Sequence, residues 1–373
     1  MNLRMCAMTE PRTGGRRLGH LDALRGFCMF WLIGGAELVV SLGNTIHPPF
    51  GAFLNAQCRH SEWHGLTFYD ILFPLFLAIS GVTIPISISR QRLRGNNTRR
   101  MYLRIIKRVV LLFLLGFIAN HSFNELLALE MQHVRFAGIL QRIAVCYLVS
   151  AVLAMHCGYK GVAAVAALIL AAYWALLALV PVPRVVGGVF SREGNLAFYL
   201  DRRFLPGFFS CGTWGDNEGL LSTVPAVASM LIGVLAGYLI CSSMSEKEKL
   251  TYLAAAGMAG IGMGLLWSLY FPINKAIWSS SYVLTTGGVS VLLIGLFYWF
   301  IDVRGNRRWA FFFTVIGMNS LLIYVCKDYL NIERALGADI MPPLLALCMS
   351  AAGTALRWSI LYGLYKSKIF ITV

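Results

Sequence analysis

From Ile71 to Ile88 the chain runs through eighteen residues without a single charge. As a helix at about 1.5 Å per residue this stretch spans roughly 27 Å, close to the ~30 Å hydrocarbon core of a bilayer. Similar runs recur along the sequence. Hydropathy places about ten of them near 21–43, 66–89, 103–119, 137–156, 162–181, 222–242, 251–270, 279–300, 309–330 and 340–364. Runs this long predict helices, because barrel strands would be about ten alternating residues each. Hydrophobic residues make up 58% of the chain and charged ones 13%, against about 25% charged in an ordinary soluble domain. The expected fold is an all-α polytopic membrane protein, a bundle of about ten transmembrane helices embedded in a lipid bilayer.

The net charge of +15 does not signal nucleic acid, since the basic residues alternate with the apolar runs and form no single patch. Their alternation sets an orientation instead. One side collects 22 of the 32 lysines and arginines, including Arg25, the cluster from Arg90 to Arg108, and Arg304, Arg307, Arg308, Arg357 and Lys366. The positive-inside rule makes that side cytoplasmic and both termini with it. Residues 1–20 then form a cytoplasmic tail, and 21–373 a membrane domain whose longest outer loop is 182–221. The first apolar run reads as a retained anchor rather than a cleaved signal peptide. The nine cysteines show no zinc spacing. Only Cys58 and Cys211 fall in expected outer loops, where they are either a disulfide or two free thiols.

Against this apolar background the polar residues stand out. Asp22 and Arg25, spaced i, i+3, fit an ion pair at a helix entrance or a polar floor for a ligand. On a straight helix Glu37 lies roughly 22 Å further along, towards the outer end. Asp70, Gln141, Arg142, Asn274, Lys275 and Asn319 share an outer-half depth. Polar groups in lipid must find partners, either as interhelical hydrogen bonds or around one cavity. The loop ahead of the 71–88 run holds His60, Trp63 and His64. The i, i+4 histidines lack a third metal ligand and the HExxH order, and Trp63 and Gly65 suggest a turn, so no metal is expected.

Six segments then carry a resemblance: LDALRG (21–26), HSEWHGLTFYDILFPLF (60–76), GILQRIAVCY (138–147), EGLLSTVPAVASMLIGVLAG (218–237), INKAIWSSSYV (273–283) and GMNSLLIYV (317–325). In this order they resemble the heparan-α-glucosaminide N-acetyltransferase family, including its bacterial members. The resemblance implies an acetyltransferase that uses cytoplasmic acetyl-CoA as co-substrate and a glucosamine-type amine as acceptor across the membrane. It also implies a homodimer and, for a bacterial member, the inner membrane. It assigns the catalytic histidine of the H-x-x-W-x-G-L-T segment to His60, with Trp63, Gly65, Leu66 and Thr67 in register. Asp70 and Glu37 are then the carboxylates that would support His60. Asp22, Arg25, Trp63, Gln141, Arg142, Asn274, Lys275 and Asn319 are candidates to bind the substrates. Where the animal enzyme has an asparagine late in the first span, this chain has Ala36 beside Glu37. A secondary transporter of an anionic or sugar ligand accounts for the same intramembrane charges.

Overall fold

The computed structural model describes residues 18–121, 134–183, 188–327 and 341–371. Residues 1–17 of the expected tail, and 328–330 and 340 at the edges of two expected spans, lie outside the described residues. The fold is all-α. Its helices are α1 (Gly19–Phe30), α2 (Ala36–Ile46), α3 (Pro48–Gln57), α4 (Phe68–Leu93), α5 (Thr98–Asn120), α6 (Ile139–His156) and α7 (Tyr159–Leu179). They continue with α8 (Leu196–Phe204), α9 (Thr223–Ile240), α10 (Glu246–Trp267), α11 (Ser280–Phe297), α12 (Phe311–Met318), α13 (Ser320–Cys326) and α14 (Pro343–Lys366). Among the described residues no strand forms; one isolated bridge joins Arg135 and Gly207.

Among the described residues eight helical stretches are long and apolar enough to cross a membrane, and they account for eight of the ten expected spans. The third expected span is α5, whose first half carries Arg99, Arg100, Arg104, Lys107 and Arg108. The ninth is broken at Asn319 (φ −122°, ψ 33°) into the short α12 and α13. Local signals start several helices. Asn97 caps α5 by accepting from the Arg100 amide at 3.0 Å, and Ser245 with Glu248 forms a capping box on α10.

The chain folds into two compact units. One, here the flanking unit, comprises residues 18–61, 67–73 and 296–371; the central unit comprises 62–66 and 74–295. Glycines bring helices together inside each. In the flanking unit a Cβ on Gly26 would lie 1.7 Å from the Phe313 carbonyl oxygen, and one on Gly317 would lie 1.8 Å from that of Asp22. In the central unit a Cβ on Gly233 would lie 2.0 Å from the Ala78 carbonyl oxygen. Such contacts leave no room for a side chain, the usual way membrane helices pack without a hydrophobic driving force.

The first span is not one straight helix. Between α1 and α2 a π-type turn, Trp31–Gly35, holds Ile33 and Gly34 out of helical geometry, with Gly34 at φ +128°. Only glycine adopts that backbone readily. Facing it from α14 are Thr354 and Arg357, whose Nη2 lies 2.5 Å from where a Gly34 Cβ would stand. Arg357 is one of the basic residues that the sequence tally counts on the cytoplasmic side. It is the fifteenth residue of the 24-residue α14 and is 3% exposed. The break also ends the straight-helix spacing from Asp22 to Glu37. Because α2 continues to Ile46, Glu37 lies about 14 Å of helix rise from that end.

Candidate functional site

In the flanking unit, residues 59–61 and Thr67 gather at the start of α4. Thr67 and Asp70 open that helix with a Thr-x-x-Asp pattern of the capping-box kind. Asp70 Oδ2 accepts from the Thr67 amide at 3.2 Å and the Ser61 amide at 3.2 Å. The Thr67 hydroxyl proton is shared between that oxygen, at 3.0 Å, and the Arg59 carbonyl, at 2.7 Å. Oδ1 is left for His60 Nδ1, at 2.8 Å. Every one of these contacts makes Asp70 an acceptor, so Nδ1 of His60 carries the proton and Nε2 presents a lone pair. Asp70 is fully buried while the His60 side chain is 51% exposed. A buried, hydrogen-bonded carboxylate thus aims a solvent-facing base. The Tyr69 ring packs on the imidazole, with centroids 4.9 Å apart.

Glu37 belongs to the same unit and is exposed. Its charge reaches Cys58, whose thiol is raised above its ordinary pKa first by burial and then by Glu37. Asp22 and Arg25 form the expected pair at 3.1 Å. Beside them is a pair the sequence did not reveal, buried His20 with Asp302. Asn319 is fully buried and uses both ends of its amide: Nδ2 donates to the Ile369 carbonyl at 3.1 Å, and Oδ1 accepts from the Ile371 amide at 2.9 Å.

In the central unit His64 follows a different pattern. Asn274 is buried, and its Oδ1 is fixed by the Ile277 amide at 3.1 Å. The amide NH2 therefore points to His64 Nδ1, 3.3 Å away. A donor opposite Nδ1 leaves the His64 proton on Nε2, the tautomer opposite to that of His60. Partial burial holds the His64 pKa below the usual histidine value. Gly65, at φ +123°, turns the loop between these contacts, and its amide donates to the Ile273 carbonyl at 2.9 Å. The loop is a turn, as Trp63 and Gly65 predict. Among the described residues no cluster of three metal-ligating side chains occurs.

Deeper in this unit three of the six quoted segments meet. Arg142 is 2% exposed, donates through Nη2 to Ser222 Oγ at 2.5 Å, and lies 4.8 Å above the Trp278 ring. Trp278 is itself fully buried, donates to Ser229 Oγ at 3.1 Å, and takes φ +52°. A bulky residue in the left-handed region is costly and survives only where its surroundings over-determine it. Lys275, half-buried, accepts through its carbonyl from the Trp278 amide at 3.1 Å. Arg142 Nε and Nη1 and Gln141 Nε2 are buried without hydrogen-bond partners among the described residues. Three unmet donors suit a ligand with carbonyl or phosphate oxygens.

The 215–219 segment of the long loop is structural. Arg135 holds Asp216 with two hydrogen bonds at 2.8 and 3.0 Å and reaches Glu218 at 2.5 Å. Burial works against the Asp216 charge, but the Arg135 guanidinium outweighs it and holds the carboxyl below its ordinary pKa. Nearby Asp201 takes backbone amides instead: burial pushes it up to about 6 although the Leu220 and Asp216 amides donate to it. Cys58 and Cys211 are free thiols, and Cys211 donates to Asn217 Oδ1 at 3.0 Å.

A family model described as "Domain of unknown function (DUF5009)" matches residues 17–182. Heparan-alpha-glucosaminide N-acetyltransferase of Mus musculus is 28% identical over 414 residues, covering 96% of this chain and 61% of the mouse protein. The Homo sapiens protein of the same name is 28% identical over 409 residues, covering 95% of this chain and 59% of its own length. The chain therefore spans about three-fifths of the curated relatives it matches. It is a distant relative of the heparan-alpha-glucosaminide N-acetyltransferases.

Proposed function

We propose that this protein is a transmembrane acetyltransferase that acetylates the amine of an amino sugar, with acetyl-CoA as donor and His60 as general base. The observation that carries the reading is the half-exposed His60 imidazole with Nδ1 on the fully buried Asp70 carboxylate. Nε2 takes a proton from the amine nitrogen as that nitrogen forms its bond to the acetyl carbon. The carbon–sulfur bond breaks, and the proton passes from Nε2 to the departing thiolate. Asp70 stabilises the imidazolium between these events, and Glu37, whose charge is felt at Cys58 two residues before His60, adds a second negative charge. Acetyl-CoA supplies an activated acyl group whose carbonyl and phosphate oxygens match the unmet donors of Arg142 and Gln141. Asp22, Arg25 and Lys275 are further polar contacts for the two substrates. In this reading the His60 loop faces the periplasm or a lumen, and the basic cluster from Arg90 to Arg108 faces the cytoplasm.

A covalent variant has His60 accept the acetyl group before passing it to the amine. Acetyl trapped on His60 without acceptor supports that route; ternary-complex kinetics with no trapped species excludes it.

A second reading has one observation of its own. The first span is discontinuous at Gly34, beside the buried Arg357, as in transporters whose interrupted helices bind ligands at mid-membrane. It requires ligand flux without acetyl-CoA consumption.

Both readings are tested with protein in liposomes, labelled acetyl-CoA on one side and glucosamine on the other, for wild type and His60→Ala. The expected result is labelled N-acetylglucosamine from wild type and a loss of about 10³-fold in the variant. Equal product from both overturns the role of His60. Glucosamine flux without product favours the transporter.

A further inference from the structure

From Ile71 to Asn124 the sequence holds no carboxylate, and the cations of this stretch crowd onto the end of α4 and the first half of α5. Those on α5 divide by face. The helix buries Met101, Ile105, Leu112 and Gly116 within the central unit. A Cβ on Gly116 would lie 2.4 Å from the Gln141 side chain of α6, so that face is closed. Arg108 turns inward and lies 4.2 Å over the Tyr147 ring of α6. The opposite face is exposed. Along it Arg100, Arg104, Lys107, Leu111, Leu114 and Ile118 follow at intervals of four, three, four, three and four residues. That spacing puts all six on one stripe of a helix. The first three are cations and the last three are apolar.

Depth makes the cations informative. The uncharged part of α5, residues 109–120, rises only about 18 Å, against ~30 Å of hydrocarbon. The helix therefore crosses a bilayer only with part of its cationic half drawn below the headgroups. Arg104 marks that level, since its Nη1 donates at 3.1 Å to Gln91 Oε1, next in sequence to the first charge of the α4 end. Lys107 stands about 4.5 Å further along the helix, towards the hydrocarbon. Long cationic side chains at such depths reach back to the interface for an anion. Among the described residues no carboxylate pairs with Arg100, Arg104 or Lys107.

We propose that this stripe is a binding site for an anionic glycerophospholipid. The headgroup phosphate sits among Arg100, Arg104 and Lys107, and one acyl chain lies along Leu111, Leu114 and Ile118. The order of the stripe is the order of the ligand, with charge at the membrane surface and hydrocarbon beneath it. From Lys107 to Ile118 the helix rises about 16 Å, close to the hydrocarbon depth of one leaflet, roughly half of ~30 Å. A zwitterionic headgroup would bring its own cation towards three others, so the stripe selects a headgroup with net negative charge. The site uses none of the chemistry at His60, and it stands or falls independently of acetyl transfer.

The test is native mass spectrometry of the full-length protein in detergent, titrated with phosphatidylglycerol or phosphatidylcholine of identical acyl chains. The expected result is that wild type retains phosphatidylglycerol at least about fivefold more tightly. Arg100→Gln/Arg104→Gln/Lys107→Gln should abolish that preference. Lys107→Glu, a single change on the exposed face, should lower it at least about twofold. Removal of three exposed cations elsewhere, in Arg307→Gln/Arg308→Gln/Lys366→Gln, should leave it unchanged. Equal retention of the two lipids by wild type overturns the proposal, as does a preference that survives either α5 variant or is lost equally in the distant one. Displacement of the lipid by millimolar coenzyme A would assign the cations to a soluble phosphate and overturn it as well.

Discussion

His60 and His64 stand four residues apart on one loop, yet their partners differ in kind. His60 faces a buried carboxylate that can only accept; His64 faces a buried amide that donates. The first arrangement leaves an unprotonated Nε2, and the second leaves a protonated one. The residue opposite Nδ1, rather than the histidine, decides which ring is fitted to take a proton and which to give a hydrogen bond. A single-atom exchange, oxygen for nitrogen, separates a base from a donor.

Reversing that exchange at His60 should have the largest effect. Asp70→Asn can place an NH2 opposite Nδ1, which moves the proton to Nε2 and removes the base. We expect acetyl transfer to fall about 10²–10³-fold in the liposome assay with little change in folding. Nitrogen-15 histidine spectra should report the switched tautomer, and retained activity with a switched tautomer would separate His60 from the reaction. The converse change, Asn274→Asp, gives His64 a carboxylate. It should shift the His64 proton to Nδ1 and raise its now depressed pKa, measured by the same spectra.

The smallest effect sharpens the comparison from a carboxylate with no histidine. Asp201 is buried like Asp70, but its pKa is pushed up to about 6 from 3.8. A carboxyl that holds its proton more tightly when folded stabilises the fold fully below pH 3.8, and that contribution is lost as the pH rises through about 6. The swing is roughly 3 kcal/mol. Asp201→Asn does not titrate, so its melting temperature relative to wild type should climb by several degrees between pH 4.5 and 7.5. An unchanged difference across that range would show that Asp201 does not titrate there.

The long apolar spans, the Asp22–Arg25 pair and the turn at Trp63 and Gly65 were legible in the sequence because each is a local property. Asp70 stood out as a carboxylate within an apolar run, and His60 through its motif. The rest depends on contacts that no spacing announces. Arg142 meets Ser222 and Trp278 across 80 and 136 positions, and His64 meets Asn274 across 210. The role of Gly34 as a helix break needed Thr354 and Arg357 from the far end of the chain. Charge tallies carry no depth, so counting Arg357 on one side of the membrane did not show its burial within α14.

The Asn319 amide has one more consequence. It binds Ile369 and Ile371, so the segment after α14 is tied to the junction of α12 and α13. In practical terms residues 369–371 are a fastening: a fluorescent label inserted among them would pull on a helix junction fifty residues upstream, and the same label in the short loop between α4 and α5 would leave that knot undisturbed.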